Sequence, residues 1–216
     1  MALFLLLDSM ITLQFTLLVL ELWTRFRSIN ANLLKVLPSR RSFLQLEAPT
    51  WLPSATRVRH LRDAYLALAR ALDLLQDHFG LTVVFVVASS LGGATAKAYD
   101  LLSMQLSWPS HGVVQIPVAY SLISMAYNCL KLLMMALSCA AVKDAAATTG
   151  VLLLRSSVSC GWCCTDLKAF LQLTRHSHPL SFSAAGFFTV DRRLLVSAVA
   201  VLVTYLVILQ QIAPHQ

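Results

Sequence analysis

Four stretches of this chain are apolar for long enough to cross a lipid bilayer, and that constrains the fold more than any other feature. They run over residues 2–22, 79–96, 113–142 and 194–213. A hydrocarbon core about 30 Å thick takes roughly 20 helical residues to span. Inside it each backbone N–H and C=O needs an internal partner, which a helix supplies within one segment. Only 12% of the 216 residues are charged and the mean hydropathy is +0.69, whereas a soluble domain is about a quarter charged. The expected fold class is all-α integral membrane, with four transmembrane helices present and long cytoplasmic helix extensions.

The net charge of +7 would suggest a nucleic-acid partner in a soluble chain. In one this apolar, it reads instead as positive-inside loops, and no nucleic-acid partner is expected. Nine Lys/Arg lie between Glu21 and His78, one lies in 97–112, seven lie from Lys131 to Arg193, and none follows Ala213. This alternation puts the first and third groups in the cytoplasm and the C-terminus outside the cell. Lys131 falls within the third apolar stretch and has two readings. It can snorkel to the cytosolic boundary, or it can be a buried functional lysine.

The opening "MALFLLLDSM" lacks a basic n-region, and Asp8 breaks its apolar run. It is a poor signal peptide and reads as the interior of a spanning helix, which argues against Met1 as the natural start. Asp8 and Gln14 are candidates for a ligand cavity or a helix interface. Pro38, Pro49 and Pro53 punctuate a loop.

Beyond the apolar stretches, Val58, Leu61, Tyr65, Leu68, Leu72, Leu75 and Phe79 recur at alternating spacings of three and four. That is a heptad seam on a helix over 57–78 that runs unbroken into the second span. The seam, with Leu61, Tyr65, Leu68, Leu72 and Leu75, predicts packing against partners below the membrane; that these residues anchor one subunit to another is implied only by the family resemblance given below. An amphipathic helix lying on lipid is the alternative. "TDLKAFLQLTRH" predicts a short cytoplasmic helix over 165–176, with Leu167, Phe170, Leu171 and Leu173 on its apolar side. The five cysteines include the cluster Cys160, Cys163 and Cys164. With His176 and His178 these match no zinc module, so no metal or other cofactor is expected, and membrane-adjacent acylation is a minority reading. No paired acids or Ser/His constellation stands within the spans, so no enzymatic activity is expected.

The last span carries the polar groups. Wound at about 100° per residue, Ser197, Thr204 and Gln211 fall on one stripe with Val201 and Ile208 between them. Two readings stand. The stripe is hydrogen-bonding glue between helices, or it is the wall of a pore in which Val201 or Ile208 gates by dewetting.

The last forty residues resemble the C-terminal signature of insect gustatory receptors: Thr-Tyr, five hydrophobic residues, then Gln-Phe. Here it reads Thr204, Tyr205, "LVILQ", Gln211, Ile212, with Gln210 and Ile212 departing from the pattern. "HPLSFSAAGFFTVDRRLL" is similar to the segment leading into that span, "RFRSINANL" to the pattern after the fourth span, and "SCAAVKDAAATTGVLL" to the end of the sixth. The resemblance implies a plasma-membrane receptor of seven spans, of which this chain holds spans four to seven. It implies a ligand-gated, non-selective cation channel of four like or unlike subunits, opened by a small-molecule tastant and surrounded by membrane lipid. Ser197, Val201, Thr204, Ile208, Gln211 and Ile212 then line the pore. An odorant-type subunit, a non-conducting membrane scaffold and a transporter fragment are the other classes open.

Overall fold

The computed structural model describes residues 2–36, 51–106, 115–159, 165–176 and 182–212. They form α1 (Ala2–Val36), α2 (Trp51–Leu106), α3 (Gln115–Ser159), α4 (Thr165–His176), β1 (Ser183–Ala184), β2 (Phe188–Thr189) and α5 (Arg192–Ile212). At 1.5 Å per residue the first three helices are about 52, 84 and 68 Å long, and α5 is about 32 Å. Only α5 has the length of a hydrocarbon core. The other three run well past it. The helix expected over 57–78 runs unbroken into the span over 79–96 as α2, and the stretches 2–22 and 113–142 are parts of longer helices. Pro53 sits in the first turn of α2, where the missing N–H needs no partner.

Among the described residues, four helices are long and apolar enough to cross a membrane. Their outward faces are apolar too: Leu6, Leu13, Leu81, Phe85, Ile123 and Val196 are all more than half exposed. A helix that is apolar inside and out belongs in lipid. The fold is an all-α membrane fold, with one small addition that the all-α expectation did not contain, the β1–β2 hairpin.

The chain divides into two compact units. One comprises Met1–Thr16, Phe79–Leu137 and Ser183–Gln216; the other comprises Leu17–His78 and Ser138–Phe182. The first holds only seven Asp, Glu, Lys or Arg residues: Asp8, Lys97, Asp100, Lys131, Asp191, Arg192 and Arg193. The other twenty of the chain's twenty-seven lie in the second.

In the first unit Phe15, Val83, Val86, Met135 and Ala136 are buried, and the Phe15 and Phe79 rings meet at 5.7 Å. The hairpin pairs Ser183 with Thr189 and Ala184 with Phe188. Its turn needs positive φ at Ala185 (49°) and Gly186 (81°), a conformation that costs an alanine about 1–2 kcal/mol. The hairpin presses on α2 at Gly80, where a Cβ would stand 2.9 Å from the Ala185 nitrogen. Only glycine fits there without displacement.

In the second unit α1 buries Val19, Leu22, Phe26, Ile29 and Leu33 at spacings of three and four. Tyr65 of α2 lies between Phe26 of α1 and Phe170 of α4, with ring centroids 5.7 and 5.6 Å away and both pairs edge-on. Leu167 and Phe170 are buried and Leu171 and Leu173 half-buried, so α4 presents the face its sequence predicts. Asn30 and Thr149 join α1 to α3. Asn30 Nδ2 donates to the Ala145 carbonyl at 2.8 Å, and the Thr149 hydroxyl donates to Asn30 Oδ1 at 2.6 Å.

Candidate functional site

Within the heptad seam of α2, Val58, Tyr65 and Leu72 are buried in the chain itself, and Leu61, Leu68 and Leu75 are half-buried beside them. Tyr65 takes its cover from Phe26 of α1 and Phe170 of α4. Heptad spacing reports that a helix needs an apolar neighbour, not which chain supplies it.

The polar stripe of α5 has the opposite fate. The face turned to the chain consists of Leu194, Ala198, Leu202, Leu206 and Leu209, all buried or half-buried. Ser197, Val201, Thr204, Ile208 and Gln211 fall on the exposed side, as does Tyr205. The Thr204 hydroxyl satisfies itself by donating to the Ala200 carbonyl at 2.8 Å. The side chain of Ile212 lies outside the described residues. Only 6% of the α5 span is buried, against 28, 33 and 44% for the other three.

At its lower end the stripe borders a groove of about 360 Å³. Val87 and Leu91 of α2 form one wall, Leu194, Ser197, Ala198 and Val201 the other, and Asp191 and Arg193 stand at the mouth. Asp191 caps α5: its Oδ1 accepts from the Arg193 nitrogen at 2.8 Å, and its carbonyl accepts from the Leu194 nitrogen at 3.1 Å.

A second polar site joins α1 and α3 in the first unit. Lys131 is buried (7% exposed) and forms an ion pair with Asp8. Its ammonium also lies 5.8 Å from the centre of the Tyr127 ring, and the Tyr127 and Ser9 hydroxyls are 2.5 Å apart. The snorkelling reading of Lys131 is thereby overturned. A carboxylate within reach neutralises the ammonium where it stands, so the side chain need not travel to water. The signal was available as one acid and one base in two otherwise apolar stretches, but their pairing depends on helix register. Gln14 is exposed and takes no part. Elsewhere in the same unit Lys97 pairs with Asp100 at 2.9 Å and lies 5.6 Å from the Tyr120 ring centre. Cys160, Cys163, Cys164 and His178, on which the zinc and acylation readings turned, lie outside the described residues, as does the side chain of His176.

Spans that run apolar on both faces, a buried ion pair between two of them and a nearly unburied terminal span define an α-helical, multi-pass membrane protein. The family described as "7tm Chemosensory receptor" matches residues 1–215, and the chain belongs to that family. It is 28% identical over 156 residues to "Gustatory receptor for sugar taste 43a" of Drosophila melanogaster, which covers 71% of this chain and 35% of that receptor. Its fold is similar to that of the insect olfactory receptor OR5 from Machilis hrabei (TM-score 0.60, 18% identity, 95% of this chain and 47% of that one). The same receptor in complex with eugenol gives a TM-score of 0.61 at 19% identity. The chain spans about a third of the sugar receptor's length and just under half of the olfactory receptor's.

Proposed function

We propose that the chain forms the last four spans of a seven-span taste receptor subunit, a tastant-gated cation channel of the plasma membrane with no catalytic step. In this reading α5 lines the pore, four subunits surround it, and the C-terminus lies outside the cell. The observation that carries it is the α5 stripe. Along the described part of this span only Ala198 is fully buried, and the residues of the stripe are exposed, which leaves that side for other molecules. Its exposed side bears Ser197, Thr204 and Gln211, which are costly against lipid and suited to water and ions. Val201 and Ile208 between them supply apolar constrictions that can gate by dewetting. The partition of charge supports the same topology. The unit poor in ionisable residues suits the bilayer, and the unit holding thirteen of the seventeen Lys/Arg suits the cytoplasm. Kinship with a sugar taste receptor favours taste over smell, and the eugenol complex of the olfactory receptor is in keeping with a small-molecule ligand.

Cysteine substitution in the receptor subunit that carries this chain tests the proposal. A charged thiol reagent applied from outside should block tastant-evoked current in Thr204→Cys and Gln211→Cys, and leave Leu202→Cys and Leu206→Cys unaffected. Equal sensitivity of both faces, or none, would remove α5 from the permeation path. An epitope after Gln216 should stain intact cells; staining only after permeabilisation would reverse the orientation.

A further inference from the structure

We infer that Arg193 stands on the ion path at the cytosolic mouth of the proposed pore, where one guanidinium from each subunit holds back cations entering from the cytosol. The inference rests on the reading of α5 as the pore wall. Eighteen residues separate Arg193 from Gln211, which is about five turns and about 27 Å of helix. The two therefore share one side of α5, and Arg193 extends the stripe of Ser197, Val201, Thr204, Ile208 and Gln211 by one turn toward the helix start. Arg193, Ser197 and Val201 also line the same groove. Arg193 is exposed, and its guanidinium forms no ion pair among the described residues. The carboxylate beside it is committed to the helix end: Asp191 Oδ1 accepts from the Arg193 backbone nitrogen at 2.8 Å. The positive N-terminus of α5 offsets about half of that carboxylate's charge, so the mouth keeps a net positive charge in each subunit. Arg192, one residue earlier, is turned about 100° away.

Distance decides what this charge does. At physiological salt a field decays over about 8 Å, and Gln211 lies more than about three such lengths away. Arg193 therefore sets how readily ions enter from the cytosol, not which ions pass the level of Gln211. Four unit charges about one such length from the axis lower the local cation concentration on the order of threefold in water.

The test is single-channel recording from excised inside-out patches that hold the receptor subunit carrying this chain, with tastant in the pipette. Single-channel current does not depend on how much protein reaches the surface. Arg193→Gln should raise the outward current about threefold and leave the reversal potential between sodium and potassium unchanged. Arg193→Glu should raise the outward current further, and Arg193→Lys, which keeps the charge, should match wild type. At about 1 M cytosolic salt, where the field decays within about 3 Å, all four should converge. A difference that persists at high salt would overturn the inference, because a structural effect of the substitution is not screened. So would variants that conduct like wild type at low salt, because the guanidinium would then face lipid headgroups rather than ions. Block of Thr204→Cys by an external thiol reagent separates this failure from that of the pore reading. With block retained, indifferent Arg193 variants overturn the inference alone and leave α5 in the pore wall; with block absent, both fall.

Discussion

Removing Lys131 should destabilise the helical core far more than removing both members of its ion pair. The lysine side chain is 5% exposed and that of Asp8 13%, so water reaches neither well. Lys131→Met keeps the length and apolar stem of the side chain but strands the Asp8 carboxylate between α1 and α3. Breaking a buried pair from one side costs about 3–5 kcal/mol, whereas replacing both partners with well-packed apolar residues is often neutral. The first figure lowers the folded-to-unfolded ratio by roughly two to three and a half powers of ten, at 1.4 kcal/mol per tenfold. Asp8→Leu with Lys131→Met should therefore recover most of the loss, and Asp8→Lys with Lys131→Asp should recover part of it. The assay is the midpoint of thermal unfolding of the detergent-solubilised protein, followed by size-exclusion chromatography of a fluorescent fusion, over the full double-mutant cycle. The reasoning fails if the two single losses simply add in the double variant, since a coupling energy near zero would mean that the charges do not meet.

Three further outcomes are read with the same assay. Gly80→Ala should cost about 1–3 kcal/mol, the range for overpacking, because its Cβ meets the Ala185 backbone at 2.9 Å; Gly92→Ala, with nothing within 4 Å, should instead stabilise α2 by up to about 1 kcal/mol. Tyr65→Ala should cost about 3–5 kcal/mol, as for other large buried aromatics, through loss of both edge-on ring contacts, while Leu74→Ala at a 70% exposed position should stay within ±0.5 kcal/mol. Asn30→Ala should cost about 1–3 kcal/mol by removing both the amide donor to the Ala145 carbonyl and the acceptor of the Thr149 hydroxyl, and Thr149→Val should cost less, since the Asn30 amide keeps its bond to that carbonyl.

The membrane class, the four spanning segments, the short helix over 165–176 and the polar stripe at Ser197, Thr204 and Gln211 were all legible in the amino-acid order. Each is a local property. Hydropathy over about twenty residues decides whether a segment enters lipid, and a period near 3.6 decides which side chains share a face. Helix ends were less legible at α1, which continues past its apolar stretch to Val36 through a segment whose polarity resembles a loop. The hairpin lay below any local signal, since two-residue strands have no period, and the need for glycine at position 80 appears only when the hairpin lies on α2. The tertiary structure decided the partners. Tyr65 of the seam closes on Phe26 of α1 and Phe170 of α4, Lys131 meets Asp8 across 123 residues of sequence, and the α5 stripe stays exposed. A periodic pattern states that a face must be covered or wetted. What covers it depends on the register and separation of helices distant in the chain, and those are set by packing that no single segment encodes.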